Sequence, residues 1–95
     1  MYGTIGHIQI KPGMESALTR YIADFKNNVP GVISCFLYCM DKAAHDYYWT
    51  VVWTDQEAHD ASGNREDAAA SYDQFLSYLS ADPEWHSGDC VYAAE

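Results

Sequence analysis

Basic residues are scarce. Five Lys and Arg stand against fourteen Asp and Glu, a formal net charge of −9. Such a chain repels phosphate backbones and anionic lipid, so neither nucleic acid nor a membrane is an expected partner. Long apolar runs are missing as well. No stretch approaches the roughly eighteen residues of a membrane span. The opening "MYGTIGHIQI" lacks the basic stretch and apolar core of a signal peptide, so a cytoplasmic location is expected. There is no glycine-rich phosphate loop, because Gly3 and Gly6 fall inside an expected strand rather than between a strand and a helix. His7, His45, His59 and His86 lie on separate elements without HxxxH or HExxH spacing, and Glu84 and His86 lack a third ligand nearby. No metal and no other cofactor are expected. Of three cysteines, Cys35 and Cys39 share a strand face but sit ~13 Å apart at strand rise, too far for a bridge. With Cys90 distant in sequence, three buried, reduced thiols are expected.

Apolar surface, by contrast, is plentiful. Hydrophobic residues make up 48% of 95, with three Trp, eight Tyr and three Phe among them. A single domain of this length buries only roughly 60–65% of its unfolded surface. A homodimeric interface is therefore the expected outlet for the remainder.

Periodicity gives the order of elements. In Tyr2 to Ile10, Ile8 and Ile10 fall on one face and Ile5, His7 and Gln9 on the other, the period of a strand. Lys11-Pro12-Gly13 ends it. Met14, Ala17, Leu18, Tyr21, Ile22 and Phe25 recur at three- and four-residue steps, which predicts an amphipathic helix closed by Asn27-Asn28 and Pro30-Gly31. Val32 to Met40 and Tyr47 to Thr54 read as two antiparallel strands joined by a hairpin loop over Asp41 to Asp46. Thr54 and Glu57 have capping-box spacing and predict a short helix there. Gly63 suits its C-cap and Asn64 the next N-cap. Arg65 to Ala81 carries Ala68, Ala69, Tyr72, Phe75, Leu76 and Leu79 on one stripe, a second long helix stopped by Asp82-Pro83. Asp89 to Ala94 is the expected last strand. The chain is thus one α+β domain over residues 1–95, a ferredoxin-like β-α-β-β-α-β with an antiparallel sheet. Helices cover one sheet face, and Ile5 and His7 are expected to meet the partner on the other.

The element order, the Lys11-Pro12-Gly13 turn, Pro30-Gly31 before the second strand, the tryptophan-ended third strand running into "WTDQEAHDAS", and "ADPEWHSGDCVY" together resemble the antibiotic biosynthesis monooxygenase domain, across essentially the whole chain. The resemblance implies a dimeric α+β barrel with a pocket between each sheet and its helices. The family that the chain resembles includes cofactor-independent oxygenases of anthrones and quinols, haem-degrading enzymes, aldehyde- or phosphosugar-processing members, and many domains with no known activity. Haem-degrading members use an asparagine on the first strand and a tryptophan and a histidine on later helices. Counted without gaps, those positions fall near Gly6, Ser62, and Ser71 or Tyr72, none of which matches. The short-helix histidine of many members also falls near Ser62, whereas this chain has His59 three residues earlier.

Oxygenation without metal or flavin needs a base to form an electron-rich anion, donors to hold its oxyanion, and a dry pocket. His59 is the candidate base, since imidazole titrates near neutrality. Tyr72 or Tyr48 is the candidate donor. Trp49, Trp53 and Phe75 are candidate flat walls for an aromatic ligand. Each also has a plainer reading: central-strand tryptophans and a Tyr72–Phe75–Leu76–Leu79 stripe are core first, and a histidine early in a helix is often only solvated. A non-catalytic dimeric ligand-binding domain, or an isomerase or hydratase in the same pocket, would share the fold.

Overall fold

The computed structural model of the protein describes residues 1–43 and 45–94; Ala44, in the expected hairpin loop, and Glu95 lie outside the described residues. Four strands form one antiparallel sheet: β1 (Tyr2–Gln9), β2 (Val32–Cys39), β3 (Asp46–Trp53) and β4 (Glu84–Asp89), in the order β2-β3-β1-β4. The described residues also form three helices, α1 (Glu15–Asn28) between β1 and β2, and α2 (Gln56–Ser62) and α3 (Ala68–Leu76) between β3 and β4. This is the ferredoxin-like α+β architecture, with its second helix in two pieces.

Strand parity sorts every side chain of the sheet. Register pairs Thr4 with Val51 and Ser87, and Gly6 with Trp49 and Trp85, so these residues share the helix-covered face. There Ile8, Ile10, Trp49, Val51 and Trp53 meet Leu18 and Ile22 of α1 and Phe75 of α3 in the core. The sheet's outer face carries Ile5, His7, Phe36, Tyr38 and Tyr48. Its apolar members are exposed, Ile5 by 48% and Phe36 by 52%.

Several boundaries differ from the sequence expectation. The last strand is Glu84–Asp89, not Asp89 to Ala94, and the residues from Cys90 to Ala94 are exposed and outside any strand. An edge strand needs neighbours on one side only, so polar residues such as His86 and Ser87 serve it as well as apolar ones. The short helix is capped by Asp55, whose carboxylate accepts from Ala58 N at 2.8 Å; Thr54 instead donates its backbone N–H to Gly31 O at 2.8 Å. Asn64 does not open the next helix. It closes α2, its backbone N–H reaching Ala61 O and its amide donating to Asp60 O. The third helix ends at Leu76 rather than near Ala81. Beyond it the chain turns to pair Ile10 with Leu79, while Lys11 and Ser80 donate to Tyr78 O and Gln9 O. That bridge fixes the end of β1 against the end of the helical layer. The cysteines are free, but only Cys35 is partly buried; Cys39 at the strand end and Cys90 beyond β4 are exposed, against the expectation of three buried thiols.

Candidate functional site

Between sheet and helices lies a cavity of about 460 Å³. Thr4, Trp49, Val51, Trp53, Trp85 and Ser87 rise from the sheet to form its floor. Tyr21 and Phe25 of α1, His59 and Ser62 of α2, and Tyr72 and Phe75 of α3 form its walls. Five of the six side chains singled out in the sequence, His59, Tyr72, Trp49, Trp53 and Phe75, therefore line one space. Tyr48 does not. It neighbours Trp49 in β3, so strand alternation turns it to the outer face, where it stacks on His7 at 4.8 Å between ring centroids.

The aromatic walls are mutually braced. Trp49 packs against Phe25, Phe75 and Trp85 with centroids 5.2, 5.4 and 5.8 Å away, tilted or edge-on, the geometry that the ring quadrupoles favour. His59 stands between Tyr2 and Trp53. Its Nδ1 meets the Asp60 carboxylate at 3.0 Å, and the carboxylate accepts. In the neutral ring that leaves Nε2 as the acceptor nitrogen. His59 is thus packed on two neighbouring rings and oriented by an anion.

Polar groups in the cavity are few and mostly paired. Trp53 Nε1 donates to Thr4 Oγ1 at 3.2 Å, and Thr4 Oγ1 lies 3.3 Å from Ser87 Oγ. Trp85 Nε1 donates to the Tyr72 hydroxyl at 3.0 Å. Tyr21 OH lies 2.8 Å from Ser71 Oγ and ties α1 to α3. Burial raises the Tyr21 pKa, an effect that the Ser71 bond opposes. Burial also pushes the Cys35 thiol up. The Trp49 N–H itself is buried without a hydrogen-bond partner. Thr4, Ser87 and Trp85 were not foreseen as cavity residues. Trp85 carries the one usable signal, an aromatic flanked by polar residues at strand period, directly after the Asp82-Pro83 stop.

Comparison with known proteins adds the lineage. A family model described as antibiotic biosynthesis monooxygenase matches residues 1–74. The chain belongs to that family. No curated protein matches the chain. Among solved structures, a candidate antibiotic biosynthesis monooxygenase from Chloroflexus aurantiacus is similar, at 25% identity and a TM-score of 0.77, with 99% of this chain and 96% of that one covered. One from Deinococcus radiodurans is 14% identical with a TM-score of 0.77, covering 100% and 97% of the two chains. A mutant form of SnoaB, a cofactor-independent oxygenase from Streptomyces nogalater, is 16% identical with a TM-score of 0.80, covering 97% and 94%. The last two likenesses are of fold. Among the described residues, no helix is long and apolar enough to cross a membrane.

Proposed function

We propose that this antibiotic biosynthesis monooxygenase family member is a cofactor-independent oxygenase of a small, electron-rich aromatic, of the anthrone or quinol class. The observation that carries the reading is the convergence of His59 and Tyr72 on one cavity walled by Trp49, Trp53 and Phe75. Its volume lies within the range of small-molecule sites, and its faces suit a flat ring system. The fold it shares with the cofactor-independent oxygenase SnoaB points the same way.

In this reading His59 Nε2 removes a proton from the bound anthrone or quinol, and Asp60 stabilises the imidazolium that forms. Tyr72 donates to the oxygen on which the substrate's negative charge collects. The anion then transfers an electron to O₂, and the two radicals combine. For an anthrone the balance is one O₂ consumed per CH₂ oxidised to C=O, with the second oxygen atom leaving as water.

The functional unit in the same proposal is a cytoplasmic homodimer joined through the outer sheet faces. Ile5, Phe36, Tyr38 and Tyr48 present an apolar surface there, exposed in the single chain. His7, paired with Asp46, sits among them. The test of the activity is oxygen consumption with anthrone, with anthraquinone as the expected product. Binding of anthrone without oxygen uptake would favour a ligand-binding domain, and a product at unchanged oxidation level an isomerase or hydratase.

A further inference from the structure

Trp85 occupies a special place in the floor of the cavity. Its indole lies over Gly6 of the neighbouring strand so closely that a Cβ at that position would run into the ring. Trp49 and Phe75 hold it from the other sides, each with centroids 5.8 Å away. The ring is therefore fixed, and its N–H points at the Tyr72 hydroxyl, 3.0 Å distant.

The chemistry of that bond is one-directional. An indole N–H only donates, so the phenol oxygen must accept. The phenolic hydrogen lies near the plane of its own ring, and with one side taken by the indole it is left to the other. Tyr72 lines the cavity and is 42% exposed.

We infer that Trp85 is a positioning residue which, by donating to the Tyr72 oxygen, holds that phenol as a hydrogen-bond donor and so biases the cavity toward ligands bearing an electron-rich oxygen. The inference deepens the proposed oxygenase reading and rests on it for the cavity being a ligand site. Gly6 is part of the same device, because only a residue without a side chain admits the indole at this height above the sheet. Trp85 also lines the floor, where its contact with a ligand's ring is common to ligands with and without a hydroxyl; its effect on the preference between them passes through Tyr72.

The test uses 1-naphthol and naphthalene, two probes that differ by one hydroxyl, with equilibrium dialysis of the full chain, Trp85→Phe, Tyr72→Phe and the double variant. Phenylalanine keeps an aromatic ring over Gly6 and removes only the donor. Wild type should prefer 1-naphthol. The preference should fall by about 3- to 10-fold in Trp85→Phe, the scale of one hydrogen bond, and the double variant should fall no further than Tyr72→Phe. A second readout needs no ligand: with three tryptophans, the indole N–H signals in a nitrogen–proton NMR spectrum can be assigned by single substitutions. Tyr72→Phe should shift the Trp85 signal and leave that of Trp53 in place. A preference in Trp85→Phe equal to wild type, with both probes bound, would overturn the positioning role alone. A Trp85 signal unmoved by Tyr72→Phe would overturn it too. Failure of wild type to bind either probe would instead sink the cavity reading, and the positioning role with it.

Discussion

His59 meets Trp53 edge-on, the ring planes at 90° and the centroids 5.4 Å apart, while its Nδ1 is held by Asp60. One partner is core and the other is a surface anion. The residue thus straddles scaffold and solvent, and its substitution separates the two roles. His59→Ala should leave the thermal melt within about 1 kcal/mol of wild type, as for a half-exposed side chain. Turnover of anthrone, followed by oxygen uptake, should drop by roughly 10²–10⁴-fold, the contribution of a general base. Equal rates in the two proteins would remove His59 from the mechanism.

Trp53→Ala should behave oppositely. The indole is 3% exposed and also donates to Thr4, itself nearly buried. Loss of so large a core side chain costs roughly 3–5 kcal/mol. Urea denaturation should show this decrement whether or not any ligand is present, and a change below 1 kcal/mol would contradict the packing described here.

Light scattering at micromolar concentration should report twice the chain mass. An acidic residue in place of Phe36, which is 52% exposed and stacks on Tyr38, should shift the protein toward monomer without altering the helix-covered core. Wild type that stays monomeric at that concentration would rule out association through the outer face.

Alkaline stability should depend on Tyr21. Its pKa is raised in the folded state, first of all by burial. Below the unfolded value, about 10, both states hold the proton and the full contribution of the residue is present. As pH rises above that value the unfolded chain loses the proton first, so stability falls until the folded pKa is passed. Denaturation midpoints of wild type and Tyr21→Phe should therefore diverge as pH rises above about 10, wild type losing more. Parallel curves would mean that the phenol titrates alike in both states.

Much of this arrangement was legible in the chain. The stripe from Leu18 to Phe25 and the alternation Trp49-Val51-Trp53 need only one buried face each, so period alone located α1 and β3. Parity within β3 also decides between Tyr48 and Trp49, since adjacent residues of a strand cannot face the same cavity. The last strand was illegible for a physical reason. In β4 only Trp85 is appreciably covered, and a strand with one covered side chain has no hydrophobic rhythm. Thr54 and Asp55 are both good caps, and the choice between them was made by Gly31, whose carbonyl takes the Thr54 N–H across the sheet edge. No local pattern carries that information. The pairing of Trp85 with Tyr72 was hidden likewise, because thirteen residues and two different elements separate donor from acceptor.

The sheet is one residue thick, and this has an evolutionary consequence. Thr4 and Ile5 are joined by a peptide bond, yet one lines the cavity and the other faces outward; Trp49 and Tyr48 divide in the same way. A point substitution at an inward position can reshape what the chamber accepts while the outer surface keeps its form, and the reverse holds at outward positions. Ligand preference and self-association can thus drift independently on a single ribbon of chain. Insertion of one residue within β1 would invert the assignment beyond it and exchange the two surfaces at once, so a lineage built on this sheet is free to vary by substitution and confined in its strand lengths.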